Sequence, residues 1–243
     1  MLIIGHRGAM GYAPENTITS FKKAIAQECD GIEIDVQLTK DNYLVVCHDW
    51  DVSRTTNGEG EIKDLTFSHI RELSIRQCSE SRTLSEKIPT LSEVLDLIPD
   101  SMLLNIEIKS KASDERDIGE KVIELLEKHG KIDNIVISSF NHTVLKRIRK
   151  INKDIKIALL LSGFLINPVE YLRSNELDVY SYHPPLDYTS KDMITLLQKE
   201  GIKVFPWIVN QKNDLKKCVD YGADGFTTNY PDRLREYLKE LKS

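Results

Sequence analysis

The 243-residue sequence predicts an α/β fold, a (β/α)8 barrel with a small insertion after the second barrel strand. Three observations carry this. Short apolar, β-rich runs alternate with amphipathic helical stretches along the whole chain, which implies parallel strands joined by crossover helices. About eight such units suit a closed barrel better than an open sheet, and a barrel of about 250 residues has an ordinary length. No G-x-G-x-x-G fingerprint supports a doubly wound nucleotide fold. The expectation is one domain over residues 1–243, with the insertion at about 49–90.

The apolar runs are Leu2–Ile4, Gly31–Leu38, Tyr43–Cys47, Met102–Ile108, Ile135–Ser138, Ile155–Leu161, Leu177–Ser181, Val204–Ile208 and Gly225–Thr227. The clearest helix is Asp117–Lys128, where Ile118, Val122, Leu125 and Leu126 recur at helical spacing. Helices also read at Thr17–Gln27, His142–Ile151, Lys191–Lys199, Lys212–Tyr221 and Pro231–Lys242, the last with proline in its first turn. From Asp49 to about Thr90 the rhythm breaks into a polar stretch rich in turn signals, such as Asn57-Gly58-Glu59-Gly60. A loop of that length is uncommon and usually functional.

Composition narrows the function. Hydrophobic residues make up 40% and charged residues 29%, which suits a globular enzyme and not a disordered chain. The net charge of −5 argues against a general nucleic-acid binder, while leaving room for a local basic pocket. No apolar run approaches the roughly 20 residues of a membrane span, so no stable membrane association is expected. Met1–Gly8 reads as a first strand and not as a leader peptide. Cys29, Cys47, Cys78 and Cys218 are scattered, without a C-x-x-C pair. Reduced thiols in a cytoplasm are the plainer reading. A homo-oligomer is left open.

The chemistry concentrates where barrel strands end. In Gly31-Ile32-Glu33-Ile34-Asp35-Val36, alternation puts Glu33 and Asp35 on one face and the aliphatic residues on the other. With the apolar face toward the helices, both carboxylates point into the barrel. Like charges there repel and desolvate badly unless neutralised, and a metal ion does that most simply. Asn105-Ile106-Glu107-Ile108-Lys109 repeats the pattern, adding Glu107 and a cation. A Glu–Lys pair alone would account for 107 and 109, but not for Glu33 and Asp35. Strand one ends in His6-Arg7-Gly8, and Arg7 suits phosphate or carboxylate. The run Tyr43–Cys47 reads as another strand, ending in His48. All-oxygen ligation favours a hard cation, Mg²⁺ or Ca²⁺. His69, His129 and His142 fall in helices and are expected to be solvated. His183 lies just past a strand and has a weaker claim on the pocket. With a divalent ion, Arg7 and Lys109 against three carboxylates, a small positive surplus matches a phosphodiester. Pairing of Arg7 with Glu15 would remove it.

These residues carry a family resemblance. His6-Arg7-Gly8, Pro14-Glu15-Asn16-Thr17, Glu33-x-Asp35, His48-Asp49, Arg54-Thr55-Thr56-x-Gly58-x-Gly60, Ile88-Pro89-Thr90-Leu91, Glu107-x-Lys109, Ser138-Ser139-Phe140, Trp207-Ile208-Val209-Asn210 and Asp224-Gly225 run in order over the chain. In this the chain resembles the glycerophosphodiester phosphodiesterases, of the small cytoplasmic bacterial type. The resemblance implies metal-dependent cleavage of glycerophosphodiesters to sn-glycerol 3-phosphate and an alcohol. It implies Glu33, Asp35 and Glu107 as metal ligands and His6 and His48 as the acid–base pair. Arg7 and Lys109 match phosphate contacts, Phe140 and Trp207 pocket-lining aromatics, and Glu15 and Asn16 supports of the first loop. One departure is Thr228-Asn229-Tyr230-Pro231, where the family commonly has Thr-Asp-x-Pro. The expected consequence is confined to loop structure or substrate fit.

Mechanistically, one neutral histidine would deprotonate the nucleophile, the substrate's 2-hydroxyl or water. The other, protonated, would serve the leaving alcohol. His6 is favoured as base and His48 as acid, an order the sequence does not fix. A cyclic phosphate intermediate stays open, as do the alcohol headgroup and Mg²⁺ against Ca²⁺. Two alternatives are a lysophospholipase D-like or cyclising phospholipase on lipid substrates, and a non-catalytic phosphate-binding barrel. The polar insertion disfavours the first, and the histidine pair the second. A glycosidase is remote, because Glu33 and Asp35 are too close on one strand to flank a glycosidic bond.

Overall fold

A computed structural model of the chain describes residues 1–76, 86–114 and 116–242. Eight parallel strands build the barrel: β1 (Leu2–His6), β2 (Gly31–Leu38), β4 (Leu103–Ile108), β5 (Ile135–Ser139), β6 (Lys156–Leu160), β7 (Ser181–His183), β8 (Lys203–Val204) and β9 (Gly225–Thr228). They run side by side in the order β8-β7-β6-β5-β4-β2-β1-β9. Individual hydrogen bonds close the ring: Asp224 N–H to the Val204 carbonyl (3.1 Å), Thr227 N–H to Pro206 (3.0 Å) and Val209 N–H to Thr227 (2.8 Å). The expected strand Val204–Ile208 is cut to two residues. Pro206 has no N–H to give a ladder, so pairing turns irregular there. The seventh strand likewise begins at Ser181 and not at Leu177.

Helices α1 (Ile18–Ala26), α4 (Ile118–His129), α5 (His142–Ile151), α7 (Lys191–Lys199), α8 (Lys212–Tyr221) and α9 (Pro231–Lys242) fall where periodicity placed them. Their ends are written in the sequence. Thr17 caps α1 through its side chain to Ser20 N–H, and Gly130 closes α4 at φ 64°. Three short helices lack a periodicity signal: α2 (Phe67–Glu72), α3 (Leu91–Leu97) and α6 (Pro168–Ser174). α3 begins with a capping box between Thr90 and Glu93.

The core lies between sheet and helices. Ile32, Ile34, Val36 and Leu38 of β2 join it with Ile106, Ile137, Ile157 and the helix faces. Their odd-numbered neighbours Glu33, Asp35 and Gln37 point to the barrel interior, as alternation requires.

The run at Tyr43–Cys47 is a strand, as expected, but it stands outside the barrel ring: β3 (Leu44–Val46) runs antiparallel to β2, with Val36 opposite Val46. The reason is length. Residues 39–43 are too few for a parallel crossover, which takes a dozen or more. The chain therefore departs from β2 already after Leu38, and the insertion folds around its own small core of Val45, Cys47, Val52, Ile62, Ile70, Leu73, Ile75 and Ile88. Val45 and Cys47 belong to the apolar run already noted, but from Val52 onward these residues are spread singly through polar sequence, so no pattern announces them. Cys29, Cys47 and Cys218 are buried free thiols, and burial pushes each up to about 12; Cys78 lies outside the described residues. No described helix is long and apolar enough to cross a membrane.

Candidate active site

Three carboxylates form the centre. Ladder pairing sets Asp35 of β2 beside Glu107 of β4, with Glu33 one inward step deeper and opposite Asn105. Glu33, Asp35 and Glu107 are buried and can bring one oxygen each within 4.8 Å of one another. Burial, then the charges of Asp35 and Glu107, raise Glu33 well above the usual carboxylate range. Burial, then Asp35, raise Glu107 to about 7. Asp35 Oδ1 is buried without a hydrogen-bond donor. Desolvated, mutually repelling oxygens with a free acceptor fit a cation, and a set made of oxygen alone suits a hard one. The cluster could hold a metal ion.

Cations buttress it from two sides. Lys109 Nζ donates to Glu107 Oε1 (2.8 Å) and lies 3.7 Å from Asp35 Oδ1. Burial opposes its charge, but Glu107 and Asp35 outweigh that and hold the ammonium above its ordinary value. Arg7, just past β1 at φ 49°, donates its backbone N–H to Glu33 Oε2 (2.9 Å) and Nη1 to Glu15 Oε1 (2.6 Å). Its Nε is 3.2 Å from Asp35 Oδ2, close but not aligned for a hydrogen bond. Asn16, at φ 56°, clasps Asp35 from both ends. Its Nδ2 donates to Asp35 Oδ2 (2.8 Å), and its Oδ1 accepts from Asp35 N–H (3.3 Å). The left-handed turns at Arg7 and Asn16 thus aim the first loop at the end of β2.

The two histidines have different partners. His6 ends β1, and its Nδ1 lies 2.8 Å from Asn229 Oδ1. An amide oxygen only accepts, so Nδ1 carries the hydrogen and Nε2 holds the lone pair, 4.0 Å from Glu33 Oε2. Burial, then Arg7, lower His6 to about 4, so the ring is neutral near pH 7. His48 arrives by the β3 return. Cys47 N–H bonds the Asp35 carbonyl (2.9 Å), and Gln37 Nε2, from inside the barrel, donates to the carbonyls of Cys47 (2.8 Å) and Asp49 (2.7 Å). His48 Nδ1 meets Asp49 Oδ1 at 2.6 Å. Asp49 is held in turn by Arg54 Nε, and Arg54 donates two further bonds of 2.7 Å to Glu15. Hydrogen bonds from Arg54 hold Asp49 well below the carboxylate range.

His6, Arg7, Glu33, His48, Asn105 and Glu107 line one cavity with Phe140, Leu160, His183, Trp207, Ile208 and Thr227. Phe140 and Trp207 meet edge to face, 6.0 Å between centroids. The fold therefore brings every predicted site residue to one place: seven line the cavity, while Asp35, Lys109, Glu15 and Asn16 stand directly behind them.

Several participants escaped the sequence reading. Arg54 was visible only as part of a motif, and nothing local says that it spans from the insertion to Glu15. Asn229, expected to affect only loop structure or substrate fit, bonds His6 itself. Asn105 lines the cavity two residues before Glu107, and nothing in the sequence marks it out from its neighbours. His183, weakly placed, faces the cavity, with Nε2 2.9 Å from Ser181 Oγ and burial lowering it to about 3. The solvated expectation fails for two helical histidines. His142 bonds Tyr171 Oη (2.6 Å) and the Leu160 carbonyl (2.8 Å), and His129 bonds Ser92 (3.0 Å). Polar partners drawn from other elements hold both rings, which a helical register does not reveal.

Comparison with known proteins agrees with this geometry. The family model of the glycerophosphoryl diester phosphodiesterase family matches residues 6–233. A glycerophosphodiester phosphodiesterase of Caldanaerobacter subterraneus subsp. tengcongensis is 41% identical over 240 residues, covering 98% of both chains. One from Bacillus altitudinis is 34% identical over 99% of each. Among solved structures, an Oleispira antarctica phosphodiesterase in complex with the product sn-glycerol-3-phosphate has a TM-score of 0.89 and 28% identity, over 98% of this chain and 97% of that one. The (β/α)8 chain described above belongs to the glycerophosphoryl diester phosphodiesterase family.

Proposed function

We propose that the protein hydrolyses glycerophosphodiesters to sn-glycerol 3-phosphate and an alcohol, with a divalent cation, Mg²⁺ or Ca²⁺, held by Glu33, Asp35 and Glu107. The single observation that carries this is one cavity built against a buried three-carboxylate cluster, with two cations beside that cluster and two histidines with unlike partners in the cavity wall. The glycerol 3-phosphate bound by the Oleispira relative supports a small phosphorylated substrate.

When bound, the cation supplies Lewis acidity and positive charge at the carboxylates. Arg7 and Lys109 bind the phosphate and stabilise the charge that grows on its oxygens. His6, neutral and with a bare Nε2, takes the proton of the nucleophile. His48 gives a proton to the departing alcohol, and the Asp49 carboxylate is placed to balance its positive charge. Glu15 and Asn16 position Arg7 and Asp35. Phe140 and Trp207 form an apolar wall that excludes water from one side. The insertion belongs to the same catalytic unit as the barrel, since His48 and Arg54 come from it. The reading places the enzyme in the cytoplasm, supported by three buried free thiols.

The test is glycerol 3-phosphate release from glycerophosphocholine by the purified protein, in EDTA and then with Mg²⁺ or Ca²⁺ restored. Release that follows the added metal is the expected result. A folded protein inactive with every metal overturns the proposal.

A further inference from the structure

Asn105 is the unexplained residue of the cavity. It lies on β4 two residues before Glu107, hence about 7 Å deeper in the barrel by strand rise. Its ladder neighbour is Glu33, and Glu33 in turn neighbours His6. The side chain is only 4% exposed and lines the cavity. Its Oδ1 is fully buried and has no hydrogen-bond donor. Leaving a buried acceptor unmade is costly, and proteins satisfy nearly all of them. Ser138 Oγ is also unpaired but does not line the cavity. Among the described residues that line the cavity, Asn105 is the one that carries an orphaned acceptor.

We propose that Asn105 recognises the glycerol moiety, its Oδ1 accepting a hydrogen bond from a free glycerol hydroxyl. The inference rests on the functional reading above. Its chemistry follows from depth. The leaving alcohol must depart toward solvent, so the end of the substrate that reaches below Glu107 is the glycerol. That end carries hydroxyls, which are donors, and the group it meets there is an acceptor lacking one. A buried acceptor of this kind rejects a ligand without the hydroxyl far more strongly than a hydrophobic wall does.

The test is calorimetric binding of sn-glycerol 3-phosphate and of propyl phosphate to the full-length, metal-loaded protein. Wild type should bind the glycerol compound about 10- to 100-fold more tightly. Asn105→Leu, nearly isosteric, should bring the ratio close to one by weakening glycerol 3-phosphate alone. Its melting temperature should hold or rise, because an unsatisfied group has been removed. Asn105→Ala provides the same comparison should leucine not be accommodated. An unchanged ratio in the variants overturns the proposal. So does equal weakening of both ligands with a lower melting temperature, which marks a structural role. A weakened metal-binding midpoint with both ligands equally affected also overturns it, marking a metal ligand instead. Turnover of glycerophosphocholine is followed separately. If wild type discriminates between the two phosphates, the variants do not, and glycerophosphocholine is not turned over, the recognition proposal stands and the catalytic reading fails.

Discussion

Glu107 carries a pH signature that a stability titration can read. Its carboxyl is raised from 4.5 to about 7, so the folded protein holds a proton that the unfolded chain has lost across that window. Its contribution to stability is therefore full below about pH 4.5 and is lost as pH rises through 7. In metal-free protein, Glu107→Gln should gain on wild type across pH 4.5–7, by on the order of 2–3 kcal/mol, in parallel denaturant titrations. A difference independent of pH would contradict the burial and the repulsion from Asp35 that raise this carboxyl. At the same scale, His6→Ala and His48→Ala should each lose about 10²- to 10⁴-fold in turnover with an unchanged circular dichroism spectrum. Near-normal turnover in either would remove that residue from the chemistry. The inward carboxylates were legible because alternation on a strand with one apolar face leaves them nowhere else to point. Asn229 and Arg54 were not, since their partners lie 223 and 39 residues away and no local pattern encodes such a contact.

Among elements, the hairpin after β2 decides how His48 reaches the site. Its shortness could have been read from the four residues between two apolar runs, which allow a turn but no crossover helix. The insertion was recognisable as a break in rhythm, but its core was not, because its aliphatic residues follow neither period. What ties it to the barrel site is Arg54, which bridges Asp49 and Glu15 while Glu15 holds Arg7. Arg54→Ala should leave Glu15 with one cation and Asp49 without its main restraint. We expect a fall in kcat/KM of about 10-fold or more, from several lost charge-assisted hydrogen bonds. Faster proteolysis within the insertion should accompany it. Unchanged kinetics would show that the insertion is held without this bridge.

For the whole molecule, strand–helix alternation sufficed to foresee a closed barrel, and parallel topology then places all strand ends on one face. That is why residues as distant as His6, Glu107 and Trp207 share a cavity. The net charge of −5 gives no hint of the site, because its cations are local and paired. The proposed chemistry depends on the carboxylate cluster holding a cation. The most direct measurement is a calorimetric titration of Mg²⁺ or Ca²⁺ into metal-free protein at pH 7, with Asp35→Asn alongside. The expected result is one bound cation per chain, proton release on binding because burial and Asp35 raise Glu107 to about 7, and affinity weakened about 100-fold or more in the variant. Equal binding in both proteins, or none in either, would contradict it.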